Sequence, residues 1–152
     1  MKTLILGLGN PILSDDGIGH YVAQSLEERL NRPDVKVTQA SVAGLDFLDL
    51  LTGYDRAIII DAIQTRNGKV GRVYRLEPEA FDHTKNQSTP HNLNFATVLE
   101  LGKRLSIPLP GKIVIYAIEV ADVNTFSDRC TPSVERVIPV VTDMVMREVN
   151  GN

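Results

Sequence analysis

The chain has 152 residues, 43% apolar and 23% charged, with a net charge of −3, a size and balance expected of one domain spanning residues 1–152. Lys and Arg are scattered without a basic run, which excludes the electrostatic footprint of a nucleic-acid binder. Cys130 is the one cysteine, so neither an intramolecular disulfide nor an all-cysteine zinc site can form; the N-terminal apolar run is too short for a signal peptide and no run approaches a membrane span, so no membrane partner and a cytoplasmic location are expected.

Leu4–Leu8 reads as a buried strand that ends in the turn Gly9-Asn10-Pro11. From Gly17 to Leu30 the apolar residues Ile18, Val22, Leu26 and Leu30 recur every four positions, which predicts a helix with one core-facing stripe, stopped by Pro33. Val35–Val42 is a second strand, and Leu45–Leu51 a short helix ended by Gly53. Ala57–Ile60 is the best central strand, since β-branched residues covered on both faces suit a parallel sheet, and it runs straight into Asp61. A further strand ends near Leu76, and the polar stretch 77–90 reads as a long loop. His91 is expected to open the next helix, through Leu99 and Leu105. Ile113–Val120 is another strand, with Glu119 at its end, and residues 121–130 form a polar loop. Thr131 as N-cap and Pro132 at the first helical position begin the last helix, which Pro139 should kink. This alternation predicts an α/β fold: three layers, α/β/α, on a single mostly parallel five-stranded twisted sheet.

Asp16 follows the first strand, Asp61 ends the third, and His91 starts a later helix. In a parallel sheet the carboxyl ends of strands and the following helix N-termini share one edge, where ligands commonly bind. Two carboxylates and an imidazole there would make a mixed oxygen and nitrogen set suited to Zn²⁺ or Ni²⁺, with positions left for water or substrate. Plainer roles stand beside this. Asp15 or Asp16 can favour a helix N-terminus, Asp61 can cap a turn, and His91 can be a loop surface residue. An acid closing an Ile-Ile-Ile run is the hardest to dismiss, because a buried charge needs a partner. His20, four residues after Asp16, can share its helix face. A dinucleotide turn would need Gly where Ile12 stands, and Cys130 reads as a buried thiol.

GLGNPILSDDGIG at the start, IIIDAI around Asp61, TPHNLN around His91 and CTPSVE before the last helix together resemble the NiFe-hydrogenase maturation endopeptidases, over Met1 to Val149. The resemblance implies a protease that removes the C-terminal extension of a hydrogenase large-subunit precursor after nickel insertion. It implies that the metal-contacting trio falls on Asp16, Asp61 and His91, with Asp16 and Asp61 also the catalytic candidates. The nickel would arrive with the precursor; another divalent metal such as zinc could occupy the purified protein. The precursor is the expected partner, and a monomer the expected state. Two positions depart from the family pattern: Gln39 stands where many members carry an acid, and Val120 where many have proline.

Two other readings compete. Gly-Leu-Gly-Asn-Pro also resembles the opening of peptidyl-tRNA hydrolases, but the aromatic stretch and Arg-His-Asn of that family are missing and the chain is acidic. A non-catalytic nickel-site binding or chaperone module would use the same trio without cutting.

Overall fold

The computed structural model describes residues 1–41, 45–85 and 94–151, with Leu45 described in its backbone only. Five strands form one sheet: β1 (Thr3–Leu8), β2 (Val35–Ala40), β3 (Arg56–Ile63), β4 (Val73–Leu76) and β5 (Lys112–Glu119). Their spatial order is β2-β1-β3-β5-β4. All neighbours pair parallel except the edge strand β4, which runs antiparallel to β5. The helices are α1 (Ile18–Arg29), α2 (Leu45–Leu51), α3 (Pro78–Thr84), α4 (Phe95–Arg104), α5 (Pro132–Glu135) and α6 (Ile138–Asn150). The predicted three-layer α/β architecture is therefore present.

Alternation along the strands divides the core in two. Ile5, Ile58, Ile60, Val114, Tyr116 and Ile118 pack against α1, α5 and α6, through residues such as Val22, Leu26, Val134 and Val145. The opposite face, with Leu4, Leu6, Ile59, Ile115 and Ala117, packs against α2, α3 and α4 through Phe47, Leu48, Phe81, Phe95 and Leu99. Both faces of the central strands are thus dry, as their β-branched runs require.

Four boundaries differ from the sequence reading. The stretch 77–90, expected as a loop, contains α3: Pro78 occupies its first turn, and Phe81 is buried edge-on against Phe95, ring centroids 5.0 Å apart. With polar residues all around it, one buried ring leaves little periodicity to read. The next helix begins at Phe95, behind an extended Asn94 whose side chain accepts from the Thr97 N–H, rather than at His91. β3 continues to Ile63, so Asp61 lies within the strand, paired with Ala117, instead of ending it. The last helix is two: α5 stops at Glu135, and Pro139 sits in the first turn of α6, so the proline begins a new helix instead of kinking one. Among the described residues no helix is long and apolar enough to cross a membrane.

Candidate functional site

The strand order places a switch point between β1 and β3. β1 connects outward to β2 through α1 on one face, and β2 returns to β3 through α2 on the other. Such a reversal opens a crevice beyond the carboxyl ends of the two central strands. Asp16 enters this crevice from the loop after β1, and Asp61 from the carboxyl end of β3.

The loop after β1 is shaped by close backbone approach. Gly9 has φ 129°, and a Cβ there would lie 1.9 Å from the Asp16 carbonyl oxygen, so only glycine fits. Gly19 sits where a Cβ would meet the carbonyl oxygens of Leu8 at 2.3 Å and Ile60 at 2.5 Å. The start of α1 consequently presses onto the ends of β1 and β3. Residues Ser14–Gly17 form one 3-10 turn between strand and helix, which carries both acids.

The two acids separate cleanly. Asp16 is partly buried, and its Oδ2 accepts the Asn10 N–H at 2.9 Å. Asp15 is fully buried and turned away, toward the loop 121–131. Its carboxylate accepts the N–H groups of Ala121 (3.0 Å), Asp122 (3.1 Å) and Thr131 (2.6 Å) and the Thr131 hydroxyl. The Asp15 N–H donates in turn to the Asp122 carbonyl. Asp15 is therefore a clamp between two loops, not a helix cap. Thr131 stands at the N-terminus of α5, yet its hydroxyl serves Asp15 and caps nothing.

Asp61 carries the strongest electrostatic signature. Burial pushes its carboxyl from 3.8 up to about 7, and the like charge of Asp16 adds to the rise; the donated Ala62 N–H and the Lys85 ammonium oppose it. The Ala62 N–H bond, 2.9 Å, is the turn-capping role foreseen for an isolated acid, but it satisfies one oxygen only. A buried carboxyl whose proton affinity is raised further by a second carboxylate marks a place where a cation or a shared proton is favoured.

Lys85 is a member of this neighbourhood that the sequence did not reveal. It is buried just past α3, with Nζ 3.6 Å from Asp82 Oδ1 and 5.9 Å from the Phe81 ring centre. Asp82 accepts the N–H groups of Phe95 (3.0 Å) and Ala96 (2.8 Å), which pins the start of α4 to α3. His91 falls between these two helices, outside the described residues, so the third member of the expected trio is not placed. Among the described residues no group of three or more His, Cys, Asp or Glu is gathered as a metal would need.

The remaining candidates have structural roles. His20 is buried in α1 with Nε2 3.2 Å from the Ala40 carbonyl, which can only accept, so the ring donates to the end of β2. His83 is exposed in the last turn of α3. Cys130 is buried, and desolvation together with Asp15 and Glu135 pushes its thiol up to about 12, far from a thiolate nucleophile. Glu119 is buried at the end of β5 and accepts from the Thr65 N–H and hydroxyl and the Tyr74 hydroxyl, fixing the connection after β3. Gln39 donates to Glu27 from β2. The Val120 N–H donates to the Ile63 carbonyl at 3.1 Å, a bond that proline at this position could not make.

Comparison with known proteins identifies the family and the fold. A family model described as hydrogenase maturation protease matches residues 20–148. The hydrogenase 2 maturation protease of Escherichia coli K12 is 30% identical over 148 residues, covering 96% of this chain and 89% of that protein. The HupD hydrogenase expression/formation protein of Bradyrhizobium diazoefficiens is 27% identical, with 94% of this chain and 75% of that protein covered. The solved structure of the hydrogenase maturating endopeptidase HybD from E. coli superposes with a TM-score of 0.83 at 28% identity, covering 99% of this chain and 94% of the other. This agreement over fold and sequence sets aside both the peptidyl-tRNA hydrolase reading and the non-catalytic module. The chain belongs to the hydrogenase maturation protease family.

Proposed function

We propose that this protein is the endopeptidase that removes the C-terminal extension of a NiFe-hydrogenase large-subunit precursor once nickel is in place, and that Asp16, Asp61 and His91 read the nickel. Family membership supports a peptidase acting in hydrogenase maturation. The observation that carries the rest is the Asp16–Asp61 pair at the switch point, in which burial and like charge lift Asp61 to about 7. Such a pair disfavours two negative charges and so favours an incoming cation. The nickel is part of the substrate: a precursor that lacks it offers the two carboxylates nothing to neutralise them, and cleavage waits for a finished centre. Peptide hydrolysis further needs a base for the attacking water, a role open to a carboxylate of this pair. Asp61 would take the water proton while Asp16 and His91 hold the metal-bearing segment against the crevice.

The test is mass spectrometry of the large subunit co-expressed with each form of the protein. Wild type shortens the nickel-loaded precursor and leaves the nickel-free one intact. Asp16→Asn, Asp61→Asn and His91→Ala abolish shortening while retaining the circular dichroism of the wild type. Wild-type rates for Asp16→Asn or His91→Ala would remove the trio from the site; equal cleavage of nickel-free precursor would remove nickel as the recognised feature.

A further inference from the structure

The loop clamped by Asp15 presents an aromatic ring to solvent directly beside the candidate site. Phe126 is 81% exposed, the most exposed of the large apolar side chains among the described residues and the one aromatic in that set. Ile12, 54% exposed, lies on the adjoining strand of backbone. The two segments run side by side: Leu13 bridges Ser127 in parallel register, the Ser127 N–H donates to the Ile12 carbonyl at 2.9 Å, and the Ser14 N–H donates to the Ser127 carbonyl at 3.1 Å. Ile12 and Phe126 thus each stand one residue before a bridge partner, on neighbouring stretches of chain.

The loop is held firmly for one that exposes a phenylalanine. Asp15 accepts from Ala121, Asp122 and Thr131 at its two ends. Asp122 Oδ1 accepts the N–H groups of Asn124 (2.9 Å) and Thr125 (3.0 Å), immediately before the ring. Just after it, the Tyr21 hydroxyl lies 2.7 Å from the Pro11 carbonyl oxygen and 2.6 Å from that of Asp128, tying both segments to α1. A loop whose backbone is held before contact loses little freedom when its ring is covered, which favours binding through an aromatic side chain.

We propose that Ile12 and Phe126 form the docking surface for the hydrogenase large-subunit precursor, gripping an apolar segment of that protein next to the bond to be cut. The proposal rests on the function proposed above. Its occupant follows from position: Ile12 lies between Asn10, whose N–H binds Asp16, and Asp16 itself, so a precursor whose metal-bearing segment is held at Asp16 passes over this rim. An endopeptidase must hold its protein substrate beside the reacting groups, and the rim offers apolar contact where the crevice offers charge.

The experiment measures KM and kcat for cleavage of nickel-loaded precursor, together with equilibrium binding of nickel-free precursor, for wild type, Phe126→Ala, Phe126→Leu and the control Leu105→Ala. Leu105 is 55% exposed but follows α4 on the way back to the start of β5, at the opposite edge of the sheet. Phe126→Ala is expected to raise KM and weaken binding about tenfold, with kcat within about twofold, an effect typical of losing an aromatic anchor. Phe126→Leu recovers most of the loss, Leu105→Ala changes neither quantity, and all three keep the wild-type melting temperature. Unchanged KM and unchanged binding in Phe126→Ala would overturn the docking surface, as would an equal effect from Leu105→Ala. If wild type binds the precursor in a Phe126-dependent way but never cuts it, the docking surface stands and the proposed function falls.

Discussion

At the scale of single residues, neighbouring acids of identical chemistry are assigned opposite tasks by where their side chains point. Asp15 is enclosed and bonded on both oxygens. Asp16 accepts the Asn10 N–H and carries a like charge near enough to Asp61 to raise its proton affinity. That charge has a measurable consequence for stability. Asp61 has a folded pKa of about 7 against an ordinary value of 3.8. Below about pH 4 both folded and unfolded forms are protonated, and the group contributes nothing. Between about pH 4 and 7 the folded state keeps a proton that the unfolded state has released, so stability falls as pH rises; above about 7 the full cost is present. One pKa unit corresponds to about 1.4 kcal/mol. Allowing for partial exposure, Asp61→Asn is expected to stabilise the metal-free protein by on the order of 2 kcal/mol at pH 8 and by close to zero near pH 4. Denaturant unfolding with a chelator at the two pH values checks this, and an equal difference at both would contradict it. Asp16, Asp61 and His91 are candidates from sequence through their expected places after strands and at a helix start, together with the family resemblance. The rise at Asp61 could not, since it depends on which residues the fold brings alongside.

At the scale of elements, the loop 121–131 is organised by a residue more than a hundred positions away. Its ends are held by one carboxylate, with Asp122 and Ser127 supplying the local turns. Asp15→Ala leaves three half-buried backbone N–H groups of this loop without their acceptor. An unmet buried donor costs about 1–3 kcal/mol and one that reaches water costs less, so a loss of about 1–3 kcal/mol in all is expected. Cleavage by trypsin at Arg129 should accelerate in the same variant. Thermal unfolding and timed proteolysis measure the two effects; a wild-type melting temperature would show that the clamp contributes little. The elements that the sequence made plain were the long ones with strong periodicity, α1 and the strands β1, β3 and β5. α3 was hidden because its only strong inward anchor is Phe81, and the division between α5 and α6 because Pro139 suits a first turn as well as it breaks an interior.

At the scale of the whole molecule, the candidate site lies where the connections from the parallel strands β1 and β3 part to opposite sides of the sheet and where α1 can approach the strand ends. Gly19 makes that approach possible. Gly19→Ala places a methyl group within 2.5 Å of two carbonyl oxygens, which only movement of α1 away from the sheet can relieve. The expected result is destabilisation of about 2–4 kcal/mol, the scale of overpacking in a close-packed interior, together with loss of precursor cleavage even where the variant remains folded. Stability and cleavage measured on the same preparation check it, and full activity at wild-type stability would show that the close packing is dispensable.

What the sequence determined by itself was the pattern: strands apolar enough to be covered on both faces, helices with one apolar stripe, glycines in the first loop and chemically active residues near strand and helix ends. These properties are local and can be counted along the chain. The tertiary structure alone decided that Asp61 lies inside β3 instead of ending it, that Asp15 turns to the loop 121–131 while Asp16 accepts the Asn10 N–H, and that the charges of Asp16 and Lys85 both act on Asp61. It also set Phe126 beside Ile12. Each of these depends on pairings between residues far apart in the chain. Proton affinity, burial and the direction of a side chain follow from those neighbours, and residue type alone does not fix them.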